Sequence, residues 1–262
     1  MTNAALHVAR TGLDAQNTKM RVIANNLANV NTTGFKKDRA DFETLAYQQI
    51  VAAGANSDSQ NKFATGLNLG SGVSLQGTSK INTQGTLQET GNALDMAIEG
   101  SGYFQVQQAD GSTAYTRAGN FSVTAEGTVV TSDGLPLIPQ ITVPQGATSV
   151  TVGNDGTVSA TLQGESEPTQ LGQIELASFM NPAGLQSIGG NLLVETAASG
   201  TPQVGTAGLE GRGLIRSGNL ETSNVNIVEE LVDMIETQRA YEVNSKLIKA
   251  TDEMLQYANQ NM

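Results

Sequence analysis

Both ends of this 262-residue chain carry an apolar residue every seven positions, and that repeat limits the possible folds more than any other feature. Near the N-terminus the row is Leu6, Leu13, Met20 and Leu27, with Ala9, Gln16, Ile23 and Val30 in the second seam position. Near the C-terminus it is Ile227, Met234, Tyr241, Ile248 and Leu255, with the mostly polar Leu231, Gln238, Ser245 and Asp252 beside it. Such a repeat keeps one apolar stripe on one side of an α-helix, the pattern of a helix lying along another helix. Asn226, followed by Glu229, reads as a helix start with a capping-box partner, and Glu229 and Glu230 suit the positive end of the helix dipole. At about 1.5 Å per residue the two helices span roughly 40 and 50 Å. Two arrangements satisfy this pattern. One is an intramolecular helical hairpin packed on a globular core. The other is a coiled coil of the two chain ends that also packs against other subunits. The polar second seam favours the latter, because an isolated pair with so many polar seam positions is weak.

The N-terminal repeat runs into an unusual cluster, Asn25, Asn26, Asn29 and Asn31. Asparagine is a poor helix former because its amide competes for backbone hydrogen bonds. Where a helix meets neighbours on every face, however, carboxamides that both donate and accept can fix register. Asn25, Asn26 and Asn29 are therefore expected to make polar contacts to the C-terminal helix or between subunits, as are Gln16 and Gln238. Asn31 to Gly34 are expected to end the helix, with Lys36 and Lys37 near its negative pole.

Between the ends the pattern changes. "YFQVQQ", "TAYTRA", "NFSVTA" and "GTVVTS" are short runs of strand-forming residues. The turn pairs Asp110-Gly111, Gly119-Asn120, Glu126-Gly127 and Asp133-Gly134 punctuate them. Turns at this spacing predict an antiparallel meander, sandwich or open barrel. The fold class is thus α+β. Residues 1–35 and 224–262 form a terminal helical coiled-coil domain. Residues 36–80 and 210–223 form a connecting region with a long extended insertion at about 46–72, and 81–209 form a central antiparallel β domain. With 29 glycines, no tryptophan and 4% aromatic residues, the core is thin and the turns are many.

Little here supports catalysis. His7 is the single histidine and there is no cysteine, so neither the usual zinc sites nor thiolate chemistry can be built. No G-x-S-x-G elbow, P-loop or dinucleotide fingerprint occurs. The acidic pairs Glu165/Glu167 and Asp95/Glu99 lack the aromatic cleft that a glycosidase requires. No catalytic residue, cofactor or metal is expected. A net charge of −11 argues against nucleic-acid binding, and no apolar run is long enough for direct membrane insertion. The N-terminus shows no ordinary secretory signal, so export, if it occurs, is expected to need no cleaved signal.

"VIANNLANVNTTGFKK" at 22–37, "LDMAIEGSGYFQV" at 94–106 and "SNVNIVEELVDMIETQRAYEVNSKLIKATDEML" at 223–255 resemble the signatures of the bacterial flagellar rod and hook axial proteins. The resemblance spans the chain. The chain's length and the 46–72 segment are similar to those of the family members that build the distal rod. What this implies is a structural part of the basal body: a helical homopolymer made of copies of this chain, serving as drive shaft and export channel. Proximal rod proteins and the hook protein would adjoin its ends and ring proteins would surround it. Export would run through the flagellar type III apparatus, placing the rod across the periplasm. The terminal helices would pack by Leu6, Leu13, Met20, Ile23, Leu27 and Val30 against Ile227, Leu231, Met234, Tyr241, Ile248 and Leu255. A sister rod protein is the nearest alternative. A secreted β-rich, adhesin-like binding module with coiled-coil ends, and a carbohydrate-active enzyme, are the alternatives of other classes.

Overall fold

The N-terminal repeat folds as helix α1, Thr2–Ala28, and the C-terminal one as helix α2, Ile227–Gln260. The computed structural model describes residues 2–56, 62–164 and 167–260. The chain divides into two units. The first comprises Met1–Ala28, Asp38–Ser79 and Asn226–Met262, and the second Asn29–Lys37 and Lys80–Val225.

In the first unit α1 packs along α2. The start of α2 is fixed as its sequence requires: the Asn226 carboxamide accepts a hydrogen bond from the Val228 amide at 3.1 Å, satisfying one of the free N–H groups of the first turn. Strand Asp38–Thr44 lies against α1 and pairs with strand Val73–Lys80. Strands Tyr47–Val51 and Leu67–Gly70 form a separate antiparallel ladder within the 46–72 segment, of which 57–61 lie outside the described residues.

The second unit is built from antiparallel strands. Its largest sheet runs Gln186–Gly189, Leu192–Val194, Thr113–Thr116, Tyr103–Gln107, Glu175–Ser178 and Gln203–Thr206, with Leu137–Ile138 also paired to Tyr103–Gln107. A three-stranded sheet, Ala147–Val152, Thr157–Leu162 and Thr169–Gln173, adds to it. Gly111, Gly127, Gly134 and Gly156 all have positive φ, the conformation for which their turns select glycine. The core is shared by alternating side chains of these strands, among them Met96, Ile98, Phe104, Leu137, Leu176 and Ile215. A smaller aromatic group stacks edge to face, with Phe179 at 4.8 Å from Tyr115 and 5.9 Å from Tyr103.

Residues 214–221, within the stretch expected to be a plain return connection, are strands. Leu214–Ser217 pairs with Met96–Glu99 and Asn219–Glu221 with Leu87–Glu89, so the chain's return is stitched into the β unit.

Candidate functional site

The helix pair of the first unit is asymmetric. On α1, Leu6, Leu13, Gln16, Met20 and Leu27 are half-buried and Ile23 is buried. On α2, Met234 and Ile248 are half-buried, but Tyr241 is 41% exposed, Ile227 47% and Leu231 43%. The side chain of Leu255 lies outside the described ones. The companion row in α2 also falls on different residues. Gln238 and Asp252 face solvent and Ser245 is half-buried, while Glu230 and Thr237 are buried and Asn244 and Thr251 are half-buried. A seam can step by three or by four residues, and where both companions are polar, apolar spacing alone cannot choose between them. The smallest residue of α1 marks the chosen register. A Cβ on Gly12 would lie 3.0 Å from the Asn244 amide nitrogen.

The asparagines divide in the same way. Asn25 is exposed. Asn26 is 2% exposed and closes a small polar network. Its amide donates to the Asp38 carbonyl at 2.9 Å and to Glu230 Oε2 at 3.3 Å, and its oxygen accepts from the Asp38 amide at 2.9 Å. One carboxamide thus joins α1, α2 and the first strand. Helix α1 stops at Ala28, so Asn29 and Val30 are not helical. Asn29 bonds locally, with its carbonyl accepting from the Thr32 amide and its side-chain oxygen from the Thr32 hydroxyl, both at 3.1 Å. These are the local bonds that let Asn and Thr compete with a helix.

Gly34, with φ +69°, turns the chain within the second unit, and its amide donates to the Glu221 carbonyl at 2.8 Å. Lys36, expected near the negative pole of α1, is 6% exposed and is engaged within the second unit. Its Nζ lies 2.6 Å from Glu221 Oε1 and 2.7 Å from the Thr83 carbonyl. Glu221 is fully buried and also accepts from the Gly85 amide at 3.0 Å. Arg117, 7% exposed, faces Glu221 Oε2 at 3.4 Å without hydrogen-bond geometry, donates to the Gly100 carbonyl at 2.8 Å, and lies 5.7 Å from the Tyr103 ring centre. Burial pulls the Lys36 ammonium below the ordinary lysine value, against the opposing pull of Glu221, and pushes the Tyr103 hydroxyl up. Asn224 completes the junction, accepting from the Lys37 amide and donating to the Ile81 carbonyl, each at 2.8 Å. The sequence reading missed this cluster. A basic residue right after "NTTGF" gave one signal, but its partners Arg117 and Glu221 are far away in the chain and lie in strand-like runs.

Among the described residues, those considered for chemistry are not brought together. His7 is exposed, with Nδ1 3.4 Å from the Ser71 carbonyl. Glu99 pairs with Arg216 at 2.7 Å on a half-exposed sheet edge. Asp95 accepts from the Asn92 amide, and Glu165 lies outside the described residues. Among the described residues no three His, Cys, Asp or Glu side chains group as metal ligands, and no helix is long and apolar enough to cross a membrane.

Two terminal helices paired with each other, flanking an antiparallel β unit in the sequence, define a structural element. The comparisons agree. Residues 6–36 match the flagella basal body rod protein model, 97–160 the flagellar hook protein FlgE/F/G D1 domain, and 216–261 the flagellar basal body rod FlgEFG protein C-terminal model. The flagellar basal-body rod protein FlgG of Buchnera aphidicola subsp. Acyrthosiphon pisum is 50% identical over 98% of both chains. FlgG of Bacillus subtilis is 41% identical over 96% of both. The rod protein FlgF of Caulobacter vibrioides is 36% identical over 93% of this chain and 92% of its own. The chain belongs to the FlgG family of flagellar basal-body rod proteins, and is a structural protein of the rod.

Proposed function

We propose that the chain polymerises through its terminal helices into the tubular distal rod, a drive shaft that carries motor torque to the hook and encloses the export channel. The observation that carries this reading is the outer face of α2. Val228 is 69% exposed, Ile235 51%, Val243 57% and Met254 64%, on the side of α2 away from the buried Glu230 and Thr237. Large apolar side chains in such a row on one helix are the mark of an interface. In the rod the two helices of each copy pair as a coiled coil and their outer faces meet other copies. Head-to-tail contacts that do not close give an open helical filament. The hairpin of 46–72, with Tyr47 63% and Ile50 53% exposed, extends along the shaft and stiffens it. Proximal rod proteins and the hook protein adjoin the two ends, ring proteins surround the tube in the periplasm, and the type III apparatus exports the chain without a cleaved signal.

The test is assembly. Ile235→Lys and Val243→Lys, each on the outer face of α2, are expected to abolish rods by electron microscopy while leaving the β-unit melting transition unchanged. Rods of normal length from both variants would reject the interface.

A further inference from the structure

Two buried cations of the second unit share one carboxylate. Among the described residues Glu221 is the only acidic partner of either Lys36 or Arg117. Its Oε1 is taken by Lys36 and the Gly85 amide. Arg117 is left with the long 3.4 Å contact of its Nε to Oε2, and its Nη1, like Oε2 itself, is buried with no hydrogen-bond partner. An unmatched guanidinium nitrogen in so closed a place costs free energy unless an acceptor reaches it. A pocket of about 110 Å³ adjoins these groups, lined by Lys36, Arg117, Gly102, Tyr103 and Ser178 among others. Two buried cations against one carboxylate, a guanidinium whose Nη1 lacks an acceptor and an adjoining cavity of that size together suit a small oxyanion, which meets the guanidinium once that group turns toward the pocket. A guanidinium suits one better than an ammonium does, since it offers parallel donors to two oxygens.

We infer that this pocket binds a small oxyanion, carboxylate or phosphate, on Arg117. The group comes either from an acidic side chain of a neighbouring copy, which a chain of net charge −11 supplies in abundance, or from a free anion. Once seated, it neutralises the excess charge beside Lys36 and clamps Arg117 between Tyr103 and Glu221.

Sodium acetate and sodium phosphate are titrated into the full-length monomer at constant ionic strength, with sodium chloride as reference. The Arg117 Nε–H resonance and the Gly102 and Tyr103 amides are followed by NMR. Saturable shifts in the millimolar range, which a ligand of few atoms can reach, are expected with both anions. Arg117→Lys is expected to weaken them at least tenfold. Should that variant fail to fold, Ser178→Asp supplies a carboxylate at the pocket wall, and is expected to raise the melting temperature and abolish the acetate response. Shifts that grow linearly and match those of chloride overturn the site. This arm is independent of polymerisation. The source is read from a map of the assembled rod, which rests on the assembly reading. An acidic side chain of a neighbouring copy on Arg117 assigns the protein source, an isolated anion there assigns the free one, and a pocket left empty of both in saturating phosphate overturns the site.

Discussion

Glu221 shows what a single buried charge does in this molecule. Removing it leaves Lys36 and Arg117 facing each other without a counter-charge, a change that costs about 3–5 kcal/mol where an ion pair is fully enclosed. Glu221→Gln is therefore expected to lower the urea midpoint of the β unit sharply. The triple variant Lys36→Met, Arg117→Met, Glu221→Leu is expected to recover much of the loss, because the desolvation cost of all three charges goes with them. A second residue gives a pH signature. Burial, with the nearby Glu195 carboxylate, pushes the Tyr115 hydroxyl from an ordinary 10.0 up to about 12. The folded state thus holds its proton more tightly than the unfolded one. The stability this contributes is fully present below pH 10.0 and is lost as pH rises through about 12. Tyrosinate absorbance is expected to show a late component, from which Tyr115→Phe removes the part at about 12 and leaves the late contribution of the buried Tyr103. A wild-type titration with no step above the ordinary range would refute the assignment.

At the scale of elements, the Asn26 network decides how α1, α2 and the first strand are held. Its three hydrogen bonds join groups that are poorly accessible to water. Asn26→Ala strands the Asp38 amide and Glu230, with an expected loss of about 1–3 kcal/mol. A double-mutant cycle with Glu230→Gln, read by α2 amide exchange, isolates the contact between the helices. Additive effects would show that the two side chains are not coupled. The same elements show what was legible beforehand. Both helices, the antiparallel strands and their glycine turns are local patterns of period 3.5 or 2, so the sequence states them directly. Which row of α2 faces α1 could not be chosen from the sequence, because Leu231 and Glu230 are both admissible seam neighbours. What tips the choice is the distant Gly12 against Asn244, with Asn26 against Glu230. The Lys36 cluster was illegible for the same reason, since three charges far apart in sequence meet only through sheet register. The Asn cluster looked uniform, yet Asn26 is buried and reaches Asp38 and Glu230, Asn25 is exposed, and Asn29 bonds to Thr32.

For the whole molecule the two units differ in how they are sustained. The β unit has an enclosed apolar core of interlocked strands. The helical unit has a 34-residue α2 with a half-polar inner seam and an apolar outer face open to water. Helices owe most of their stability to packing, and isolated ones are marginal in water. The helical unit of a dilute monomer is therefore expected to open far more often than the β unit, most of all toward the C-terminal half of α2. Under the proposed export of an unfolded chain and its assembly at a growing tip, this is an advantage, because folding would be completed by the neighbours the chain joins. Hydrogen exchange measures it directly. In dilute monomer the amides from Arg239 onward are expected to exchange orders of magnitude faster than those of Phe104 and Leu176. In polymer they should slow to the same range, with the β-unit amides unchanged. Protection of α2 in dilute monomer equal to that of the β core would show that the helix pair is self-sufficient, and that assembly adds contacts without completing the fold.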